Sequence, residues 1–230
     1  MGVAVMREPI ACAASDLCDE IAGAGDTGFA ATYRGDPPRR EVYAIEGLRL
    51  IVDLSPLMVG HLLLLPEKHF LSFGHVVPEM ADRTNQLLAR ILPLYRATFG
   101  QVAAVVEHGS STRMTSACIT HAHWHLVPVN GYEIRRRMAE DGLTARRLRG
   151  FEELHEYAEA DASYYYCFDG ESHHAFGADR WVRSQYLRSV IGGLLGIPDP
   201  LWDWSLIVRK ELLRETLALA GDWRGRLGTA

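Results

Sequence analysis

The chain has 230 residues, 48% of them hydrophobic and 23% charged, the balance of a folded globular protein and not of a disordered one. Its 24 basic and 29 acidic residues leave a formal charge of −5, which argues against a nonspecific nucleic-acid binder but leaves room for a local cationic pocket. Four scattered cysteines do not make a disulfide scaffold, residues 1–9 hold no signal-peptide core, and no apolar run approaches the roughly 20 residues of a membrane span; the expectation is a cytoplasmic protein.

Residues 10–23 read as a short helix carrying Cys12 and Cys18, and residues 24–40, rich in Gly, Asp, Pro and Arg, as loop. Strand-like runs follow at 41–45, 48–53 and 60–66, the last an unbroken run of Leu suited to a strand covered on both faces. Met80, Leu87, Leu88, Ile91, Leu92 and Tyr95 recur at helical spacing, which predicts a helix over 79–99 that Pro93 kinks or divides. Residues 102–107 read as strand, 109–116 as loop and 118–129 as strand again.

Beyond Asn130-Gly131 the chain turns charged and partly helical to residue 160. Asp169-Gly170 between two aromatic runs is a hairpin signal. Helices are expected over 180–195 and 205–219, with a loose tail from Gly221. Strands grouped before and after a long helix predict an α+β fold with an antiparallel sheet.

The segment His121-Ala122-His123-Trp124-His125 holds three of the ten histidines. On a strand, alternation points all three one way and Ala122, Trp124 and Leu126 the other. Two chemistries suit such a row. Three imidazoles would ligate a transition metal, as in a zinc hydrolase. Alternatively, a neutral imidazole would attack phosphorus directly while its neighbours hold the phosphate. Spacing alone does not choose between them. A noncatalytic nucleotide-binding protein is the third alternative.

This segment resembles the signature of the histidine-triad (HIT) superfamily, His-x-His-x-His followed by apolar residues. A second block agrees with it: Val52-Asp53 at a strand end, then Gly60-His61, the Leu run, Pro66-Glu67-Lys68 and His69. The likeness spans residues 10–130 and leaves 131–230 unexplained. It implies a HIT-like core over 1–130 with a C-terminal extension over 131–230 packed on it. It also implies a nucleotidyl hydrolase or transferase acting on nucleoside 5′-phosphate conjugates, with no cofactor needed for the chemistry. His123 would be the nucleophile on the α-phosphate, His125 and His61 its phosphate contacts, and His121 the brace behind it. Asp53 would accept ribose hydroxyls, and Ile51 and Leu54 would flank the base. His125 at the third motif position, not Gln, favours this branch over galactose-1-phosphate uridylyltransferases.

Some positions depart from the pattern. Cys118 stands where a Ser or Thr often touches the phosphate, a weaker hydrogen-bond donor. Glu107-His108-Gly109 stands where relatives often carry Asn, and Glu107 would repel phosphate unless turned away, paired or protonated. Arg113, in the following loop, would restore positive charge. In bacterial relatives two cysteines, the histidine of the second block and the first triad histidine hold structural zinc; here Cys18, His69 and His121 match, while the fourth position falls on Ser15, with Cys12 close by.

In the extension, Ser163–Phe168 with His173 and His174 read as an edge hairpin packed on the core, or as a wall over the nucleotide site, and Arg180, Arg183 and Arg188 lie on one expected helix, aimed at an anionic leaving group or at solvent. The resemblance further implies a nucleotide partner, no nucleic acid, no membrane, and a homodimer formed through the long helix and its adjoining strand, unless the extension replaces that interface.

Overall fold

The computed structural model describes residues 15–113, 120–178 and 183–228. Eight antiparallel strands form one sheet. In chain order they are β1 (Glu41–Ile45), β2 (Leu48–Val52), β3 (Leu62–Pro66), β4 (Ala104–Gly109), β5 (Trp124–Val127), β6 (Ala145–Leu148), β7 (Tyr164–Phe168) and β8 (His173–Gly177). Their spatial order is β1-β2-β3-β5-β4-β7-β8-β6, so the sheet passes without a break from the residues of the core into those of the extension.

One face of the sheet carries the long helix. Helices α1 (Asp16–Ile21) and α2 (Gly28–Tyr33) precede the sheet, and α3 (Phe73–Phe99) links β3 to β4. Helix α3 lays Phe73, Val76, Leu87, Ile91 and Tyr95 onto Leu50, Leu64, Trp124 and Leu126. It starts at Phe73, six residues before the expected start at 79, because Pro78 is accommodated within the helix; Pro93 does not divide it either. Burial of this apolar stripe outweighs the two amide hydrogen bonds that the prolines remove.

The other face is covered in two patches. Leu17 of α1 packs with Ile51, Leu63 and Leu65 at one end. At the other end α4 (Gly131–Glu140) and α6 (Tyr186–Leu194) cover Val106, Tyr165, Cys167 and Phe176. His125, the last of the three histidines, lies on β5 between the two patches.

Several sequence expectations change. The stretch read as loop over 24–40 contains α2, capped by Thr27. The strand expected over 118–129 begins only at Trp124, so His121 and His123 precede the ladder instead of lying in it. Helix α6 starts at Tyr186 and the last long helix, α7 (Lys210–Leu219), at Lys210. The tail from Gly221 is not loose: α8 (Trp223–Leu227) buries Trp223 completely against Tyr95 and Phe99, and its indole donates to Thr98 Oγ1. A large aromatic with its N–H satisfied anchors the helix.

The extension covers part of the surface that the resemblance assigned to a partner copy, the β4 edge and one side of α3. Strand β7 pairs along β4 from Val105↔Phe168 to Gly109↔Tyr164. A 3-10 turn (Phe151–Leu154) and helix α5 (His155–Glu159) pack on α3. No helix among the described residues is long and apolar enough to cross a membrane.

Candidate active site

Strands β2, β3, β5 and β4 set the site's floor by register. Ile51 pairs Leu63, Leu63 pairs His125, and His125 pairs Val106, so all four share a face. His61 lies in the turn before β3 with no exposure, beside Asp53 at the end of β2.

The hydrogen bonds fix each imidazole. Leu57 N–H donates to His61 Nδ1 at 3.2 Å, so the His61 proton resides on Nε2. That nitrogen lies 2.9 Å from His125 Nδ1 and donates to it, which leaves the His125 proton on Nε2. His123 Nδ1 lies 2.7 Å from the carbonyl oxygen of His121, an acceptor only, so the proton stays on Nδ1 and Nε2 keeps its lone pair. Burial favours the neutral rings throughout: it lowers His61 to about 4 and holds His123 and His125 below their ordinary value. Of these three rings, His123 alone keeps a bare Nε2, beside the N–H donor at His125 Nε2.

Asp53 is not free. Its Oδ1 accepts from Ser55 N–H at 2.8 Å and from Arg188 Nη1 at 3.1 Å. Arg188 is itself buried, with Nη2 on the Ser55 carbonyl and Nε on that of Trp202. Burial would push the Asp53 carboxyl up, but Arg188 and His61 outweigh it and hold it well below the usual carboxylate range. The three arginines of the extension thus part company. Arg188 reaches the site, Arg183 pairs with Asp199 over Trp202, and Arg180 lies outside the described residues.

Glu107 is turned away from the histidines. It is 1% exposed; Oε1 accepts the first amide of α3, Phe73 N–H, at 2.7 Å, and Oε2 accepts Trp124 Nε1 at 3.1 Å and Tyr164 Oη at 2.7 Å. Burial raises its pKa to about 7 against the pull of those three donors. With Glu107 on the helix side, its neighbour His108 comes to the histidine side, with its ring 4.4 Å from that of Tyr165. His108 was not among the expected site residues, and alternation from Val106 would have found it. Arg188, expected at a leaving group or in solvent, instead holds Asp53, a pairing that no local signal marks.

A hollow of about 250 Å³ beside this floor is lined by Leu17, Ile21, Ile51 and Leu65 together with Arg39 and Arg40. Leu54 belongs to the apolar cluster on the other face, so it does not pair with Ile51 across this hollow. Arg113 is mostly exposed and pairs with Asp161 at 3.2 Å. Cys118 and Cys12 lie outside the described residues.

A second cluster stands apart. His69 Nδ1 and His121 Nδ1 lie 3.2 and 3.1 Å from Cys18 Sγ, close to the roughly 3.5 Å that separates ligands around tetrahedral zinc. His121 Nε2 donates to the Pro66 carbonyl at 2.7 Å, which turns the Nδ1 lone pair toward the sulfur, the outer-shell arrangement of a metal-bound histidine. Ser15, at the N-cap of α1 three residues before Cys18, has a buried Oγ with no hydrogen-bond partner among the described residues. These residues fit structural zinc, which would tie α1 to the histidine segment. The metal-competent groups among the described residues place His121 and His125 in different clusters, so the three histidines are not one ligand set.

The buried imidazoles make acid stability predictable. His61 and His108 are both lowered to about 4 from 6.5, so the unfolded chain takes up protons that the folded chain refuses. Their contribution is complete above pH 6.5 and is lost as pH falls toward 4, on the order of 3 kcal/mol for His61. Glu107, raised from 4.5 to about 7, acts in the opposite sense and offsets one of the two. The urea midpoint should be flat from pH 8 to 7 and fall between pH 6.5 and 5. A midpoint that climbs over that interval would contradict the neutral assignment.

No family model matches the chain. Among curated proteins, an uncharacterized HIT-like protein of Mycobacterium tuberculosis is 28% identical over 100 residues, 44% of this chain and 69% of the relative. Another uncharacterized HIT-like protein, from Methanocaldococcus jannaschii, is 25% identical over 101 residues, covering 44% of this chain and 76% of its own. These likenesses support membership of the HIT superfamily. Among solved structures, a HIT family protein of Bacillus anthracis is 22% identical with a TM-score of 0.37, over 50% of this chain and 74% of that one. A zinc-bound histidine triad family protein of Mycobacterium smegmatis is 26% identical with a TM-score of 0.33, over 58% of this chain and 90% of that one. The two blocks that carry this likeness, from Asp53 to His69 and from His121 to His125, both precede residue 131.

Proposed function

We propose that this HIT-like protein is a nucleotidyl hydrolase or transferase that cleaves a nucleoside 5′-phosphate conjugate at the α-phosphate through a covalent nucleotidyl-histidine. The observation that carries the reading is the bare Nε2 of His123, fixed by the Nδ1 hydrogen bond to the His121 carbonyl. A neutral imidazole needs no base to become a nucleophile. It attacks phosphorus, the bond to the leaving group breaks, and water or a second substrate resolves the adduct. His125 Nε2–H donates to a phosphate oxygen, and His61 holds His125 in the tautomer that allows this. His61 is thus a positioning residue more than a direct phosphate contact. The hollow at Ile51 takes the base, and Asp53 Oδ2 is the acceptor left for a ribose hydroxyl.

The test is a panel of nucleoside 5′-phosphate conjugates (phosphoramidates, dinucleoside polyphosphates and simple esters) incubated with the protein, followed by intact-mass measurement. A nucleotidyl adduct mapping to His123 is expected, and it should be absent from His123→Asn. Turnover that leaves no adduct and stops on chelation would instead favour a metal-dependent hydrolase.

A further inference from the structure

The residue left unexplained by that reading is His108. Strands β4 and β5 pair antiparallel with Val106 opposite His125. The ladder ends at Val106↔His125; carried one alternation further, its register would set His108 across from His123, which precedes the ladder. After burial, the charge of His123 is the other influence that lowers His108. On its other side His108 pairs with Tyr165 of β7, whose ring, 1% exposed, closes off the space toward the extension. His108 Nε2 is buried and has no hydrogen-bond partner among the described residues. A buried ring nitrogen without a partner is costly, and a nucleophile's immediate neighbour is where a substrate would supply one.

The distances suit a particular task. A nucleophile attacks phosphorus from about 3–3.5 Å, and the leaving atom lies one bond beyond in line, so it sits roughly 5 Å from the attacking nitrogen. Adjacent strands are about 4.8 Å apart. A side chain directly across from His123 therefore meets a leaving atom when the line of attack runs across the strands. The base hollow, bordered by Ile51 of β2 and Leu65 of β3, lies on the opposite side of His123, which orders base, phosphorus and leaving group along β2, β3, β5 and β4.

We propose that His108 is a further catalytic residue, the acid for the leaving group; this rests on the nucleotidyl-histidine reading. Burial keeps the His108 ring neutral, and a bound phosphate anion would favour its charged form. In the first step the His123 Nε2 pair forms the N–P bond. The bond from phosphorus to the leaving atom breaks, its electron pair stays with that atom, and the atom takes the Nε2 proton of His108. In the second step water gives a proton back to His108 as its oxygen bonds phosphorus, and the N–P pair returns to His123. The sum is hydrolysis of one bond, with both imidazoles restored.

The test compares two conjugates of AMP and of GMP, on whichever base the wild-type protein prefers: the p-nitrophenyl ester, whose leaving group needs no proton, and the n-propylamide, whose leaving nitrogen does. His108→Asn should lower propylamide turnover at least 100-fold and p-nitrophenyl turnover less than 5-fold. In His108→Gly, added imidazole should restore propylamide turnover, a rescue that a purely structural role would not show. Equal losses on the two conjugates without rescue, or no loss on either, overturns the assignment. Failure of the underlying reading looks different, because His123→Asn would then leave both conjugates turning over.

Discussion

Changing His123 to asparagine should lower turnover by more than about 10³-fold, roughly 4 kcal/mol of barrier, while the protein stays folded. The argument rests on what asparagine keeps and what it lacks. Its amide nitrogen can still donate to the His121 carbonyl that His123 Nδ1 now holds. It offers no nucleophilic lone pair at the Nε2 position, so the N–P bond cannot form. Binding, the His125 donor and the His61 brace all remain, which is why nucleotide affinity should change far less than rate. The measurement is kcat on the best conjugate of the panel, beside a urea midpoint for each protein. A rate within tenfold of wild type would remove His123 from the chemistry.

The second large effect is on stability, at Glu107. Its carboxylate receives Phe73 N–H, the Trp124 indole and the Tyr164 hydroxyl, all buried. Glu107→Ala would leave three donors without partners, at about 1–3 kcal/mol each. Removing the carboxylate also removes its own cost of burial, which is what raises its pKa to about 7. The net loss should therefore sit near the lower end, about 3 kcal/mol, still a large share of the roughly 5–15 kcal/mol that holds a domain folded. Glu107→Gln keeps an acceptor oxygen but turns an N–H₂ toward a donor, so it should fall between the two. Urea denaturation at pH 7 measures all three, and a loss under 1 kcal/mol for alanine would mean that water satisfies those donors. Trp124 stands between His123 and His125 in the chain, so the alanine variant should lose activity as well.

Much of this site could be read from local pattern. The two blocks from Asp53 to His69 and from His121 to His125 carry the resemblance to the HIT superfamily, because each residue type there answers to short-range geometry. Alternation along a strand was enough to set Glu107 and His108 on opposite faces once β4 was drawn from Ala104. The same rule misled at His121 and His123, which precede the ladder and are oriented by hydrogen bonds to Pro66 and to the chain itself. Long-range pairings left no local trace. Arg188 meets Asp53 across 135 residues, and Trp223 finds Thr98 across 125. The start of α3 was misplaced because Pro78 is a strong boundary signal locally, and packing along the whole helix overrides it.

The seam between β4 and β7 changes how copies of this protein relate to one another. Since each chain supplies its own lateral neighbour for β4, a second molecule cannot pair along that strand. Chains should then work as independent units. When intact protein is blended with a tenfold excess of the His123→Asn chain, output should track the intact fraction alone, with no poisoning by inert subunits. A population carrying one damaged gene copy would accordingly lose activity in simple proportion to dose.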